Sequence, residues 1–488
     1  LKKNYLKVGI NSGSSRFMLT SSYENYDGYR EHSNEYQTRI NSTYIAEISP
    51  RTTLKVYGYY VNGLIKLPGS LTLQDYNTNP YKADVVALDY NLMRYTKKGR
   101  LGVTFSTKFG KDESNIFEFT GYGTIKELTR TDRRFRIFNR NGLGATAKYI
   151  NYAKIGDRNN EFTVGVDFFW QGGPMNYFNN VNGNKGDIVT AVGNEKLGNM
   201  GIYFLDQFSI IPYRLDVMLT GRYDRVSYTS EDWQQGNTDT TRTFSRFTPK
   251  IALNYKLTSK IAAYTSFGLG FDTPANNEMS NYPTSSNQGF TTLNPDIDPQ
   301  NSINFEIGIK GSLKGIEGKY FTNTFAEVTF FHSLIENEII PFVIDEDYFY
   351  RNAGKTRRIG VEAGFNTEIV KGLTLKTAYT FSKFEYVDYE ALIIKTAPVF
   401  SQHTENYSNN VVPSVPEQLF STELGYSHSI AKYLNAFIKG NLRYTGSMFV
   451  NDKNVDSLKT PGYLLLGGQL GLSLNYNNFN ITAYAGVD

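Results

Sequence analysis

A two-residue alternation of apolar and polar side chains, held over runs of about ten residues and repeated along the chain, constrains this sequence more than anything else in it. Between Glu161 and Trp170 the even positions are Phe162, Val164, Val166, Phe168 and Trp170, with Glu161, Thr163, Gly165 and Asp167 between them. Leu215, Val217, Leu219, Gly221 and Tyr223 alternate with Asp216, Thr220, Arg222 and Asp224; Ile303, Phe305, Ile307 and Ile309 alternate with Asn304, Glu306, Gly308 and Lys310. Leu373 to Ser382 and Leu434 to Tyr444, where Arg443 falls on the polar side, repeat the pattern. Successive side chains of an extended chain point to opposite sides, so each run is a strand with one apolar face. Sandwich strands are typically about five or six residues long, whereas a tilted strand needs roughly ten to cross a bilayer. Aromatic clusters at run ends, Tyr57/Tyr59/Tyr60, Phe168/Phe169/Trp170 and Tyr348/Phe349/Tyr350, read as interfacial girdles. The predicted fold class is all-β, a transmembrane antiparallel β-barrel.

Composition closes the alternatives. Aromatic residues are 15% and charged residues 20% of the chain, too aromatic for disorder, and a mean hydropathy of −0.42 is too polar for a helical membrane protein. The nearest approach to a spanning helix, Tyr463 to Leu472, is short and broken by Gly467, Gly468 and Gln469. Without cysteine there is neither a disulfide framework nor a thiolate metal site. A net charge of +4, from 51 basic and 47 acidic residues, argues against nucleic acid as a partner. Leu1 to Gly9 lack the features of a signal peptide, so the expectation is a mature chain or one whose beginning lies upstream.

Short connections near Ser12–Ser14, Ser49–Arg51, Gly110–Ser114, Ile155–Asn160, Pro212, Ser259, Leu313–Gly318, Lys371–Gly372, Ile430–Ala431 and Tyr476–Asn478 alternate with longer ones. The longer segments are Asp27–Ser33, Leu67–Leu92, Glu127–Asn141, Gln171–Gly198, Ser230–Thr243, Phe271–Pro299, Glu336–Arg351, Val387–Pro416 and Val450–Thr460. In outer-membrane barrels short turns face the periplasm and long loops face outward. This layout gives about 20 strands with both ends outside, and the expectation is one strand missing at each end, hence about 22. A lumen that wide needs a plug.

The stretch Ser266-Phe-Gly-Leu-Gly-Phe-Asp-Thr-Pro-Ala-Asn-Asn-Glu278, followed by Leu293-Asn-Pro-Asp-Ile-Asp-Pro-Gln-Asn-Ser-Ile-Asn-Phe-Glu-Ile-Gly-Ile-Lys-Gly311, resembles the barrel signature of TonB-dependent outer-membrane receptors. Asp27-Gly-Tyr-Arg-Glu-His-Ser33, Pro68-Gly-Ser-Leu-Thr72 ahead of Asn79-Pro80, and Asn352-Ala-Gly-Lys-Thr-Arg-Arg-Ile-Gly-Val-Glu362 look like the same family, particularly its ferric-siderophore, ferric-citrate-type branch. The resemblance runs over residues 1–488, read as one barrel domain incomplete at both ends, with no plug, TonB box or closing segment visible. It implies a receptor that captures a scarce iron chelate outside the cell and imports it with energy from the TonB, ExbB and ExbD complex. Cobalamin, haem or an oligosaccharide are alternative cargoes, the last with a surface lipoprotein partner. A passive porin or adhesion barrel is the alternative of another class.

Several residues are candidates for the ligand. Arg130, Arg133, Arg134, Arg136 and Arg140, interleaved with Phe135 and Phe138, suit charge-assisted bonds to a carboxylate- or hydroxamate-bearing chelate, or else form a solvated rim meeting lipopolysaccharide phosphates. Trp170, Tyr177, Phe178 and Trp233 are aromatic candidates for closing over cargo, against a plain girdle role. Asn276, Asn277 and Asn294 either touch ligand at the mouth or shape turns set by Pro274, Pro295 and Pro299. Arg222, Glu306 and Arg443 are expected to line the lumen.

Nothing supports an enzyme. The four histidines His32, His332, His403 and His428 are scattered, and Gly354-Lys355-Thr356 lacks the earlier glycine of a phosphate loop because position 349 is Phe349. No covalent cofactor and no metal site is expected, and Asp345, Glu346 and Asp347 read as an exposed acidic turn rather than a calcium loop.

Overall fold

The computed structural model describes residues 1–234, 238–279, 293–313, 318–344, 347–395, 399–477 and 479–487. Among the described residues twenty strands form one antiparallel sheet, each pairing with the next in the sheet, from Lys2–Ser12 and Ser15–Tyr26 at one edge to Tyr463–Tyr476 and Phe479–Val487 at the other. Two small hairpins stand apart, Ile339–Ile344 with Asp347–Asn352 and Glu390–Lys395 with Ser401–Asn406. Among the described residues no helix is long and apolar enough to cross a membrane. Two short helices, Leu73–Thr78 and Val85–Asp89, start at Thr72 and Asp84, whose side chains accept backbone N–H bonds of the first turn.

Burial runs opposite to that of a water-soluble sheet. On the strand Arg158–Val181 the apolar Val166 and Phe168 are 47% and 51% exposed, whereas Gly165, next to Val166 and on the other face, is buried. Ile303, Phe305, Ile307 and Ile309 are likewise all exposed. Only a surrounding apolar phase makes that arrangement favourable, so this is the lipid-facing side.

The opposite face is polar, and its side chains bridge strands. Arg222 Nη1 reaches Asp167 Oδ2 at 2.6 Å, and its Nε and Nη2 meet Asp224 at 2.7–3.0 Å. The bridge to Asp167 passes over Gly201 on the intervening strand, where a Cβ would collide with the guanidinium. Elsewhere on this face Tyr57 lies over Gly102, Tyr122 over Gly144, Tyr203 over Gly165 and Tyr264 over Gly308, each glycine directly opposite its tyrosine in register.

That face corrects part of the girdle expectation. Tyr57 and Tyr59 point inward while Tyr60, 39% exposed, points to lipid; Phe169 stacks inward on Tyr122 at 6.3 Å while Phe168 and Trp170 face out. Phe349 and Tyr350 belong to a small hairpin and not to a membrane strand end. Two adjacent aromatic residues in a strand must point to opposite sides, so a cluster in sequence is never wholly girdle.

Three segments expected as loops are paired strands instead. The ladders run through Asn115–Thr131 into Arg134–Ile155, through Arg158–Val181 into Asn184–Ile211, and through Leu215–Asp232 into Thr238–Lys256. Above the lipid neither face must be apolar, so the alternation fades while the backbone bonds continue.

The described residues contain three buried apolar clusters, all built by the connections at this same end. Val226 and Tyr228 pack with Met279 and Ile297 of the Phe271–Pro299 segment; Met175, Tyr177 and Ala191 form a second cluster; Ile340, Ala353, Tyr386, Tyr389, Ala391, Tyr407 and Val412 form the third.

Candidate ligand-binding site

The tall hairpins carry the site. On the inward face Arg94, Arg130, Arg136 and Tyr177 lie directly opposite one another across four successive strands, and Lys98, Lys126 and Arg140 do so across three. Such neighbours have Cβ atoms about 5 Å apart, where like charges repel. Asp132 answers part of that charge: it pairs with Arg136 and lies 3.9 Å from Arg134. Glu195, on Asn184–Ile211 and so one strand beyond Arg158–Val181, pairs with Arg140. Lys126 is within electrostatic reach of Arg94, Lys98, Arg140 and Glu195.

Aromatic faces back the cations. The guanidinium carbons of Arg136 and Arg134 lie 5.4 and 5.8 Å from the Tyr177 ring centroid, and that of Arg140 lies 5.7 Å from Phe138. Phe138 and Tyr177 meet edge to face at 5.7 Å. Burial pushes the Tyr177 phenol above its ordinary pKa, with Arg136 opposing, so it is a neutral ring.

Neighbouring segments fix this wall. Asn180 Nδ2 donates to Tyr90 O at 2.8 Å and Asp132 O at 2.7 Å, joining two hairpin tips to the helical segment. Arg30 donates to the carbonyls of Pro68, Gly69 and Lys82, which explains why the segments around Arg30 and Pro68 belong together in the sequence signature.

Beside this wall, the stems of the Phe271–Pro299 segment fold onto the inward face of the next two strands, Leu215–Asp232 and Thr238–Lys256. Tyr228 Oη donates to Pro274 O and lies 2.9 Å from the Thr273 hydroxyl, which can donate to it. Arg242, paired with Tyr228 in register, donates to Asn294 O and, at 2.8 Å, to Ile297 O. Asn352 clasps the far stem, accepting from Asp298 N at 2.7 Å and donating to Asp298 O at 2.9 Å. Asn276 then reaches the basic wall, its Nδ2 3.4 Å from Glu195 Oε2.

The sequence candidates therefore divide. Arg130, Arg134, Arg136 and Tyr177 converge on one face, with Asn276 joined to it through Glu195, while Arg133 occupies the exposed tip between the two strands. Trp170 lies on the lipid side opposite Leu143, because its position is one residue out of phase with the inner wall. Phe178 follows the register break after Tyr177 and stacks under Lys185 at 4.0 Å. Trp233, 48% exposed, donates its backbone N–H to Val192 O at 3.0 Å at the rim. Asn277 donates to Tyr350 Oη at 3.2 Å. Asn294 is buried, its Oδ1 accepting from Asp296 N at 2.9 Å, a turn-shaping role. Arg222, Glu306 and Arg443 are all on the inward side, opposite Tyr203, Ser266 and Ser421 respectively.

Sequence reading missed Arg94, Lys98, Lys126, Glu195, Tyr228 and Arg242. The first two were within reach, since Arg94, Lys98 and Arg100 alternate with the lipid-facing Leu101, Val103 and Phe105. Thr356 donates to Glu338 and Arg358 Nη2 meets it at 2.6 Å, a structural use of the rejected phosphate-loop segment. Of the acidic turn, Asp345 and Glu346 lie outside the described residues.

Comparison with known proteins agrees with this architecture. The ferrioxamine B receptor of Salmonella typhimurium is 24% identical over 314 residues, 63% of this chain and 38% of the relative; the aligned region thus spans well under half of that protein's length. The unliganded ferric citrate transporter FecA superposes with a TM-score of 0.75 at 14% identity, covering 99% of this chain and 70% of that one. The ferric preacinetobactin receptor BauA from Acinetobacter baumannii gives 0.72 at 14% identity, with 99% and 72% covered. The family model described as TonB dependent receptor-like, beta-barrel, matches residues 10–488, and the chain belongs to that family of receptors, which are not enzymes.

Proposed function

We propose that residues 1–488 act as the barrel of an outer-membrane receptor that imports an anionic iron chelate, a ferric siderophore or ferric citrate, with energy from TonB and its ExbB and ExbD partners. The observation that carries this reading is the pair of cationic rows, Arg94/Arg130/Arg136 and Lys98/Lys126/Arg140, held side by side on the inward wall. Like charges placed directly opposite cost stability, and an arriving anion relieves that cost. Guanidinium groups match planar carboxylates in bidentate fashion, and Tyr177 and Phe138 supply the apolar backing that an organic chelator needs. Family membership supports the outer-membrane setting, with lipid and lipopolysaccharide around the barrel, and the TonB coupling; the iron chelates named for its relatives support the cargo class.

Uptake tests this directly. The complete receptor is expressed in iron-starved cells lacking other siderophore receptors, which are then offered radiolabelled iron as citrate or hydroxamate chelates, with cobalamin and haem alongside. Saturable uptake of an anionic chelate is expected, abolished by collapsing the proton-motive force and weakened about tenfold or more by Arg130→Gln with Arg136→Gln. Uptake of a neutral cargo that ignores both substitutions would overturn the reading.

A further inference from the structure

The basic wall holds one carboxylate in a particular way. Glu195 Oε2 is shared by two donors from different parts of the fold: Arg140 Nη2 on the wall and Asn276 Nδ2 on the stem of the Phe271–Pro299 segment. The Arg140 and Glu195 side chains are each only 18% exposed, sheltered yet still open to the lumen. The backbone is shaped around this contact. Pairing between the Arg134–Ile155 and Arg158–Val181 strands stops after Phe138↔Met175 and resumes at Asn141↔Gly172, which leaves Arg140 in the gap. Gly173, opposite Glu195, lets the Asn139 carbonyl approach so closely that any Cβ there would collide with it. Phe138 underlies the guanidinium, and Lys126, Lys98 and Arg94 leave the surroundings cationic even with Glu195 in place.

We infer that Arg140, Lys126 and Asn276 form a carboxylate-binding subsite which the receptor fills with its own Glu195 until a carboxylate-bearing cargo displaces it. The inference rests on the mouth being the cargo-binding face, and it adds a specificity rule. A cargo carboxylate reproduces both contacts that Glu195 makes; a cargo without one must leave Glu195 seated. Displacement also passes Asn276 from the receptor's own acceptor to one on the cargo, so the stem's hold on the wall then runs through the cargo.

Small carboxylates test the subsite without knowledge of the cargo. In the purified complete receptor, Glu195→Ala vacates the subsite, and sodium formate or acetate should raise its melting temperature saturably over a sodium chloride control. The wild-type receptor should show no such rise, and neither should Glu195→Ala combined with Arg140→Gln. Glu195→Gln, which keeps the side-chain shape, is the second variant: its affinity for citrate, measured calorimetrically, should exceed the wild type's about tenfold. No formate response in Glu195→Ala together with unchanged citrate affinity in Glu195→Gln would overturn the subsite. Failure of the uptake panel with an intact formate response would instead remove the iron-chelate cargo and leave the subsite standing.

Discussion

Single side chains on this barrel can be sorted by the medium they meet. Arg222 spans from Asp224 to Asp167 across Gly201, a contact possible only on the inward face. Arg222→Cys should therefore react with a small water-soluble thiol reagent entering the barrel and resist a lipid-dissolved one, whereas Val166→Cys should do the reverse. A different kind of residue is Glu405, outside the membrane strands, where Lys453 Nζ at 2.6 Å, Tyr407 Oη at 2.7 Å and His403 Nε2 at 3.0 Å surround the carboxylate. Lys453 first, then Tyr407 and His403, hold its pKa down to about 2. A carboxylate depressed in the folded state adds stability above its ordinary range and loses it as pH falls toward the folded value. Protection factors of the amides over Ser401–Val412, taken relative to the intrinsic exchange rate at each pH, should thus be highest at neutral pH, fall as pH drops below the ordinary carboxylate range, and level off at this contact below about 2; Glu405→Gln should remove that dependence.

Among elements, the inward tyrosine–glycine pairs make the clearest demand. Tyr203 covers Gly165 and Tyr122 covers Gly144, so a side chain at either glycine has to displace a ring that already fills the space. Gly165→Val should cost about 1–3 kcal/mol and lower the folded fraction seen by heat-modifiable gel mobility, while Tyr203→Phe should be close to neutral. Most of the strands were legible because lipid imposes alternation on the sequence: Phe162 to Trp170 could be read directly. The hairpin tops were not. From Glu127 to Asn141 the residues are polar and aromatic without period, because above the bilayer both faces of a strand meet water or protein, and only the backbone ladder keeps the segment extended. The same loss of period hid the inward turn of Arg136. The Glu195–Arg140 contact joins residues 55 apart in the chain, and no local pattern announces a pairing at that range.

For the whole molecule, the mouth is organised by a segment folded back onto its own wall. Arg242 holds the carbonyls of Asn294 and Ile297, and Tyr228 holds that of Pro274. Arg242→Ala leaves two carbonyls without their charged donor, at about 2 kcal/mol, and limited proteolysis between Phe271 and Pro299 should accelerate in the intact receptor while the membrane strands stay resistant. Height is distributed unevenly around the barrel. The strands Arg158–Val181 and Asn184–Ile211 have 24 and 28 residues, against 12 for Ile261–Asp272 and 12 for Leu434–Thr445. At about 3.3 Å per residue the longer pair outreaches the shorter strands by roughly 40–50 Å along the strand direction. The rim is accordingly a slope, and its high side is the one that bears the cations. Under the proposed uptake role, a solute drifting sideways above the cell surface meets that raised flank as a sail meets wind, well before it finds the opening, and its remaining search is a descent along one charged slope rather than a hunt for a hole.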